Sequence, residues 1–283
     1  MLRISSVSFP GLGIGEAELD SVAFSIGSFD IAWYALIIIV GMISAVAYIM
    51  FRASKIGITP EDILDAVLFV IPIGILGARL YYVLMNIENY SSFADALDIR
   101  SGGLAIYGGI IAGTLTVLVV CKIKNIRFMA FADCVSPGLI LAQAIGRWGN
   151  FMNGEAFGGE TDIFCRMGLN NFLTAYDTVY VHPTFLYESL WNVLGFILIN
   201  LFYKHKKYDG QIFLLVFGWY GFGRMLIEGL RQDSLYIGIF RVSQVLGGCI
   251  FIVCAALLVY FIFKKPYEDL FKYDSKYKKK GKK

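Results

Sequence analysis

The sequence has little charge and few of the side chains on which soluble enzymes rely. Charged residues make up 17% of its 283 residues, and the only histidines are His182 and His205. The five cysteines include no Cys-x-x-Cys pair, which argues against a thiolate metal site or a disulfide framework. Zinc-protease, serine-hydrolase, Walker A and dinucleotide-binding patterns are also missing. We therefore expect no metal, no cofactor and no nucleic-acid partner.

Long apolar runs take the place of those patterns. Hydrophobic residues make up 57% of the chain and the mean hydropathy is +0.65, which is too apolar for an ordinary soluble domain. The runs are continuous and about 17 to 25 residues long, enough to cross roughly 30 Å of hydrocarbon as helices rather than as barrel strands. We predict an all-α, polytopic transmembrane helical bundle with a small external head. Its seven spans are 31–51, 63–85, 103–121, 131–147, 184–203, 211–230 and 242–263.

Basic residues give the expected orientation. They concentrate after spans one, three and five, and nine more follow from Lys264 onward. The positive-inside rule then places the C-terminus in the cytoplasm and the N-terminus outside, as an odd number of spans requires. The first thirty residues lack a basic start, so we expect the first span to insert uncleaved. We predict one transmembrane catalytic domain, 1–263, and a basic cytoplasmic tail, 264–283, that either anchors the topology or attracts anionic lipid.

Span six carries ionisable groups, which are costly in a membrane and need partners, water or a function. In "YGFGRMLIEGLRQD", Tyr220, Arg224, Glu228 and Arg231 follow at offsets of 0, 4, 8 and 11. At 3.6 residues per turn they form one stripe on a helix. The stripe is either a self-neutralising salt-bridge ladder that joins helices or part of a functional site.

A second polar set ends span four, in "GRWGNFMNGEAFGG". Arg147, Asn150 and Asn153 are spaced as on one helix face, and Glu155 follows Gly154. The glycines predict a helix end that turns into a loop whose backbone amides are free to meet an anion. Arginine suits phosphate because its planar fork makes two directed hydrogen bonds. A phosphate and acyl chains together describe a phospholipid.

Other polar or small residues in the spans have a simpler explanation. Asp65, Arg79 and Asp133 are interpreted as partners that join helices. In "GGLAIYGGIIAG", Gly109 and Gly113 have the spacing typical of close helix contact.

Two further segments have both a structural and a functional interpretation. Gly102 and Gly103 either pack tightly or line a lipid-binding surface. In "HPTFLYESLWN", His182, Tyr187 and Glu188 belong either to an interfacial anchor or to a site.

At these segments the sequence resembles the bacterial prolipoprotein diacylglyceryl transferases. "FSIGSFDIAWYAL", "GGLAIYGG", "HPTFLYE" and "YGFGRMLIEGLRQD" occur in the order of that family, whereas 160–181 and the tail match poorly. Every fixed position of the family signature is met, by Gly146, Arg147, Gly149, Asn150, Phe151, Met152, Asn153, Glu155 and Gly158.

The resemblance implies an enzyme of the bacterial cytoplasmic (inner) membrane whose active site faces the outer leaflet. Such an enzyme transfers the diacylglyceryl group of phosphatidylglycerol to the thiol of a lipobox cysteine in a preprolipoprotein. A thioether forms and glycerol phosphate leaves. The implied partners are phosphatidylglycerol, lipobox signal peptides and the bilayer.

Matching motif positions give the implied site residues. Arg147 and Arg224 bind the phosphate and stabilise the leaving group, and Glu155 either takes part in the chemistry or holds Arg147 and the lipid head group in place. Glu228 and Arg231 position Arg224 or close the site. The remaining substrate-binding candidates are Tyr34, Gly103, Asn150, Asn153, Gly158, His182 and Tyr220. Gly158 is expected to leave room for the head group.

One departure bears on the chemistry. Many family members have histidine where this chain has Tyr107, within "YGG". A free tyrosine has a pKa of about 10, against about 6.5 for histidine, so it is a poorer base at neutral pH. We expect Tyr107 to donate a hydrogen bond to the lipid, with the thiol activated by the field of Arg147 and Arg224. The alternative function is a transporter or flippase of an anionic amphiphile, in which the same arginines only bind.

Overall fold

In the described part of a computed structural model, seven helices are long and apolar enough to cross a membrane, which confirms the predicted seven-span helical architecture. The structure describes residues 4–90, 92, 96, 98, 102–232 and 234–264, so the predicted tail lies outside it except for Lys264. The helices are α1 (Trp33–Ala53), α2 (Pro60–Met85), α3 (Ile106–Ile123), α4 (Phe128–Met152), α5 (Thr184–Phe202), α6 (Gln211–Ile227) and α7 (Val242–Lys264).

Two predicted helix boundaries were wrong, at the start of α3 and at the end of α4. Helix α3 begins at Ile106 rather than at 103, because Gly102 and Gly103 have φ angles of +86° and +77°. Helix α4 continues to Met152 instead of ending at 147. Helix α6 ends at Ile227, and the 3-10 turn Glu228–Leu230 completes the span predicted for 211–230.

The described chain forms two compact units. One contains residues 4–48 and 133–264, and the other contains residues 49–132. Helices α1 and α4 each contribute to both. The assignment of 1–263 to a single catalytic domain stays a prediction.

Helices α2 and α3 dominate the second unit and approach each other through small residues. A Cβ on Gly77 would collide with Ala112 and with the Gly108 carbonyl, and one on Gly109 would lie 3.4 Å from the Gly74 oxygen. Helix backbones in membranes approach closely where such small residues face each other. The predicted contact face is confirmed, although Gly108 makes the tightest approach rather than Gly109.

The start of α2 is fixed by side chains at its first turn. Thr59 and Asp62 form a reciprocal capping box, and Pro60 occupies the first helical position. Lys124, just after α3, pairs with Asp62 at 3.0 Å and with Asp65 at 2.5 Å. The helix-joining role predicted for Asp65 is confirmed.

The first unit carries a small head built on a four-stranded antiparallel sheet. Its strands are β1 (Ile4–Phe9), β2 (Ile14–Asp20), β5 (Met167–Asn170) and β6 (Val179–Val181), in the order β2-β1-β5-β6. Two small hairpins flank helices, one of β3 (Val22–Ile26) and β4 (Phe29–Ala32), the other of β7 (Tyr236–Ile237) and β8 (Phe240–Arg241). The core of the head consists of Val7, Met167, Leu169, Val181 and Phe185. The long loop before α5 is thereby folded onto the N-terminal strands.

Asp133, near the start of α4, is completely buried and holds the start of α6. Its carboxylate accepts the amides of Gly210 at 2.8 Å and Phe213 at 2.7 Å and pairs with Lys206 at 2.9 Å. These amides belong to the first turn of a helix. Amides at that position have no acceptor within the helix, and the helix dipole favours a negative charge beside them. The prediction that Asp133 joins helices is confirmed.

Candidate active site

The end of α4 gathers the polar side chains of the signature. Arg147 donates to the Oδ1 of Asn150 at 3.3 Å. Asn150 and Asn153 both donate side-chain amide protons to Glu155 Oε1, each at 3.1 Å. Because α4 extends one turn further than expected, Arg147 and Asn150 both lie within the helix, and Glu155 closes the network from the following loop.

The glycines of this segment serve packing, and their predicted role as free amide donors is wrong. The amides of Gly154, Gly158 and Gly159 donate to the carbonyls of Phe151, His182 and Leu230, respectively, at 2.8 to 3.0 Å. Gly149 lies within α4, where a Cβ would be 2.7 Å from the Tyr34 ring. The cationic character of the site therefore comes from side chains.

Gly158 has a different role from the one expected. A Cβ there would lie 2.7 Å from the Cβ of His182 and 2.8 Å from the Leu230 carbonyl oxygen. The space beside its α-carbon is filled by protein, so the prediction that it leaves room for a head group is wrong. Its small size allows an isolated antiparallel bridge with Arg231.

Glu188 of α5 is the centre of the charged cluster. Its Oε2 lies 2.5 Å from Arg147, and its Oε1 lies 3.1 Å from Arg224 and 3.2 Å from Arg231. The residue is 6% exposed. A buried carboxylate surrounded by three guanidinium groups fixes their positions, since charge-assisted hydrogen bonds of this kind are short and directional.

The stripe predicted in span six is confirmed for the ion pair of Arg224 and Glu228, but its last residue, Arg231, lies beyond the helix. Arg224 forms an ion pair with Glu228, with its Nη2 atom 2.6 Å from Glu228 Oε2. Arg231 has extended backbone angles and has left the helix. It still reaches Glu188, because the 3-10 turn redirects the chain toward α5. Arg241 adds a further guanidinium that donates to the Glu228 carbonyl.

A small cavity lies beside this cluster. Its lining includes Glu188, Trp191, Asn192, Tyr220 and Arg224. Tyr220 and Arg224, which were predicted to share one face of the helix, therefore line the same cavity as Glu188. Tyr34 packs instead against Gly149 at the turn of α4 that carries Asn150.

His182 lies in a separate group of the same unit. Its Nδ1 is 3.3 Å from the hydroxyl of Tyr187, and that hydroxyl is 3.6 Å from the Cys165 sulfur. The His182 carbonyl accepts the Gly158 amide. The described contacts of His182 are thus those of the head, and Glu188 of the same motif belongs to the charged cluster.

Tyr107 and Gly103 belong to the other unit. Tyr107 is 44% exposed in the first turn of α3. Gly103 packs against Tyr82, and its carbonyl accepts a bond from Arg79 at 3.1 Å. Arg79 also donates to the carbonyls of Ala96 and Gly102. Arg79 therefore joins α2 to the loop before α3, as its predicted structural role requires.

Sequence reasoning missed the central position of Glu188. Glu188 was left open between an interfacial anchor and a site role, because it lies about forty residues from each arginine that it contacts. The charges contained a signal only when Arg231, just after span six, is included, since Arg147, Arg224 and Arg231 then stand against Asp133 and Glu228. Among the described residues, no group of three histidine, cysteine or acidic side chains has metal-binding geometry.

Comparison with known proteins supports the resemblance over most of the chain. Residues 21–260 match the family model of the prolipoprotein diacylglyceryl transferases. A protein of Listeria welshimeri named phosphatidylglycerol–prolipoprotein diacylglyceryl transferase is 44% identical over 255 residues, covering 88% of this chain and 92% of its own. A protein of the same name from Clostridioides difficile is 45% identical over 230 residues, covering 81% of this chain and 90% of its own. A protein of that name numbered 1, from Clostridium perfringens, is 43% identical over 260 residues, covering 89% of this chain and 99% of its own. The chain belongs to the prolipoprotein diacylglyceryl transferase family.

Proposed function

We propose that this chain transfers the diacylglyceryl group of phosphatidylglycerol to the thiol of the lipobox cysteine of preprolipoproteins. The relatives' names supply the lipid and protein substrates. The observation that carries the proposal is the cluster of three arginines around Glu188, which lies beside the signature residues Asn150 and Glu155. The alternative of a transporter is not favoured.

The reaction makes a clear demand on such a site. The cysteine sulfur forms a bond to the terminal carbon of the diacylglyceryl group, and the bond between that carbon and the phosphate oxygen breaks. The electron pair stays on glycerol phosphate, and the thiol proton passes to a base or to the departing phosphate. The phosphate gains negative charge as it leaves, so fixed cations stabilise the transition state more than the bound lipid.

Arg147 and Arg224 supply that charge in our proposal. Each guanidinium has five N–H donors, more than its contacts with Glu188, Glu228 and Asn150 use. Three arginines face two buried glutamates, so the cluster keeps an excess of positive charge beside the cavity. Glu188, Glu228 and Arg231 act as positioning residues, because they hold the two arginines that bind phosphate.

The remaining site residues contact or orient the lipid in this proposal. Asn150, Asn153 and Glu155 form a linked network that orients the head group. Tyr34 and Tyr220 supply aromatic walls and hydroxyl groups, and His182 contributes from the head. Gly103 and Tyr107 belong to the second unit, so their lipid-binding roles rest on the family pattern alone. Tyr107 is proposed to donate its hydroxyl proton to the lipid head group.

We further propose that the protein lies in the bacterial cytoplasmic membrane with its site toward the outer leaflet. The N-terminus and the head would lie outside, and the tail from Lys264 in the cytoplasm. The excess of lysine and arginine after α1, α3 and α5 supports this orientation. The Arg147 end of α4 then meets the lipid head groups from outside.

The direct experiment combines purified protein, a lipobox peptide and phosphatidylglycerol labelled separately in the acyl chains and in the terminal glycerol. The proposal expects acyl label on the peptide and an equal amount of labelled glycerol phosphate in solution. A peptide in which serine replaces the lipobox cysteine is the matched control and should stay unlabelled. Saturable lipid binding without either product, under conditions where a relative works, would favour the transporter.

A further inference from the structure

Two tryptophans form a reciprocal clasp between α5 and α6. The indole rings of Trp191 and Trp219 are stacked with centroids 4.2 Å apart and planes inclined by 16°. Trp191 Nε1 donates to the Trp219 carbonyl at 3.1 Å, and Trp219 Nε1 donates to the Trp191 carbonyl at 3.0 Å. Each ring thus satisfies its donor on the backbone of the opposite helix, which matters where water is scarce.

A glycine on the opposite helix makes room for each ring. A Cβ on Gly195 of α5 would collide with the Trp219 indole nitrogen, and one on Gly223 of α6 would collide with that of Trp191. Glycine lowers helix stability by about 1 kcal/mol relative to alanine, so its presence inside two helices calls for a packing reason. The clasp therefore depends on four residues with matched sizes.

The clasp lies between the charged cluster and an apolar contact on the same pair of helices. Glu188 precedes Trp191 by three residues on α5, and Arg224 follows Trp219 by five residues on α6. Toward the other end of the pair, Ile199 packs with Ile212 and Val216. The helices run antiparallel, so a change in their separation at the clasp is transmitted to the Glu188–Arg224 contact, one turn away.

We propose that Trp191 and Trp219 are positioning residues that set the separation of α5 and α6, and through it the distance between Glu188 and Arg224. Trp191 also lines the cavity beside Arg224, so its ring limits where that guanidinium can move. The inference rests on the proposed transfer reaction for its effect on rate. Its structural part, the dependence of one ion pair on one aromatic clasp, stands independently.

Gly223→Ala tests the clasp by driving the Trp191 ring out of its place. A misplacement of ~1 Å at a catalytic constellation costs up to about 100-fold, so we expect kcat for peptide lipidation to fall by about 10- to 100-fold. Gly218→Ala is the matched control on the same helix, because its new Cβ would lie an ordinary 3.4 Å from the Cys254 Cβ. Equal rates for the two variants would overturn the proposal.

Adding Trp191→Phe to Gly223→Ala supplies the rescue. The smaller ring removes the collision, so the double variant should recover much of the lost rate. A double variant no faster than Gly223→Ala would contradict an action through Trp191. The circular dichroism of the parent should show an exciton couplet from the stacked indoles, which Trp191→Phe abolishes and Trp33→Phe preserves.

A readout without turnover separates this inference from the proposed function. The coupling between Glu188→Gln and Arg224→Lys is measured by a double-mutant cycle on the unfolding midpoint, first in the parent and then with Gly223→Ala. We expect the coupling to fall in the Gly223→Ala background. An unchanged coupling energy would contradict the proposed role of the clasp. If the parent protein is inactive but the coupling energy falls in the Gly223→Ala background, only the proposed transfer reaction is contradicted.

Discussion

Helix α4 carries a buried ionic cluster at each end, and the two are built differently. Near its start, Asp133 is surrounded by two backbone amides and Lys206. Fourteen residues further on, or about 21 Å along the helix, Arg147 meets Glu188 together with two other arginines. In the first cluster an anion is enclosed by protein donors. In the second, cations outnumber carboxylates beside a cavity.

This difference separates a charge that is enclosed by protein from one to which we assign a function by proposal. Burial favours the neutral form of the Lys206 amine, but Asp133 and Asp209 outweigh that effect, and the pKa of Lys206 is raised from 10.5. The folded pKa exceeds the unfolded one, so the stabilisation is fully present below about pH 10.5 and is lost only above it. Lys206 therefore keeps its charge at physiological pH, whereas we propose that the excess positive charge of the Arg147 cluster serves a ligand.

The largest expected effect is that of Arg147→Ala. Loss of a guanidinium that stabilises the departing phosphate should lower kcat about 100- to 1,000-fold, as is typical when one preorganised donor is removed. The assay is acyl transfer to a lipobox peptide, normalised to folded protein. Added guanidinium ion should restore part of the rate in a saturable way. If the variant unfolds, or if it stays fully active, the Arg147 end of α4 is structural, like the Asp133 end.

Glu188→Gln should lower kcat by about 10-fold, because the arginines lose the charge that holds them in place. The same change removes an anion that competes with phosphate, so the KM for phosphatidylglycerol should stay constant or fall. Initial rates at varied lipid concentration measure both constants. A higher KM with an unchanged kcat would indicate that Glu188 only shapes the binding surface.

Asp133→Asn should lower the stability of the protein and leave kcat unchanged, the opposite of the effect expected for Glu188→Gln. It leaves Lys206 buried with weaker compensation and weakens the cap of α6, which should cost about 3 kcal/mol of stability. The unfolding temperature should fall, while kcat per folded molecule stays that of the parent. A loss of kcat equal to that of Glu188→Gln would erase the distinction between the two ends.

Tyr107→Phe should have the smallest effect, because a single hydrogen bond to the lipid is at stake. Its loss is worth about 1 kcal/mol, or roughly a fivefold decrease in kcat/KM. Rates and lipid affinity identical to those of the parent would rule out a functional hydroxyl. A complete loss of activity would make Tyr107 part of the chemistry and move the search for the base to the second unit.

Local spacing predicted what lies on a single helix. The seven spans, the Arg224–Glu228 pair and the shared face of Arg147 and Asn150 follow from hydropathy and from the period of 3.6 residues. The helix-joining role of Asp133 follows from the cost of a charge in a membrane. The Arg224–Glu228 and Arg147–Asn150 contacts each join residues about one turn apart on the same helix.

Features that depend on other elements were not predictable in this way. The three arginines of Glu188 come from two different helices and a turn, and no spacing links them to α5. The amides of Gly158 and Gly159 were expected to be free, yet the carbonyls of His182 and Leu230, which are distant in sequence, accept their protons. The strands of the head are short, and β6 has only three residues, too few for a periodic signal.

The most direct test of the central claim follows the oxygen that the reaction is proposed to release. Phosphatidylglycerol is prepared with oxygen-18 between the diacylglyceryl carbon and phosphorus, and both products are analysed by mass spectrometry after one turnover on a lipobox peptide. If a thiol displaces a phosphate held by Arg147 and Arg224, all of the label appears in glycerol phosphate and the peptide carries a thioether without it. Label retained on the lipidated peptide would contradict the account.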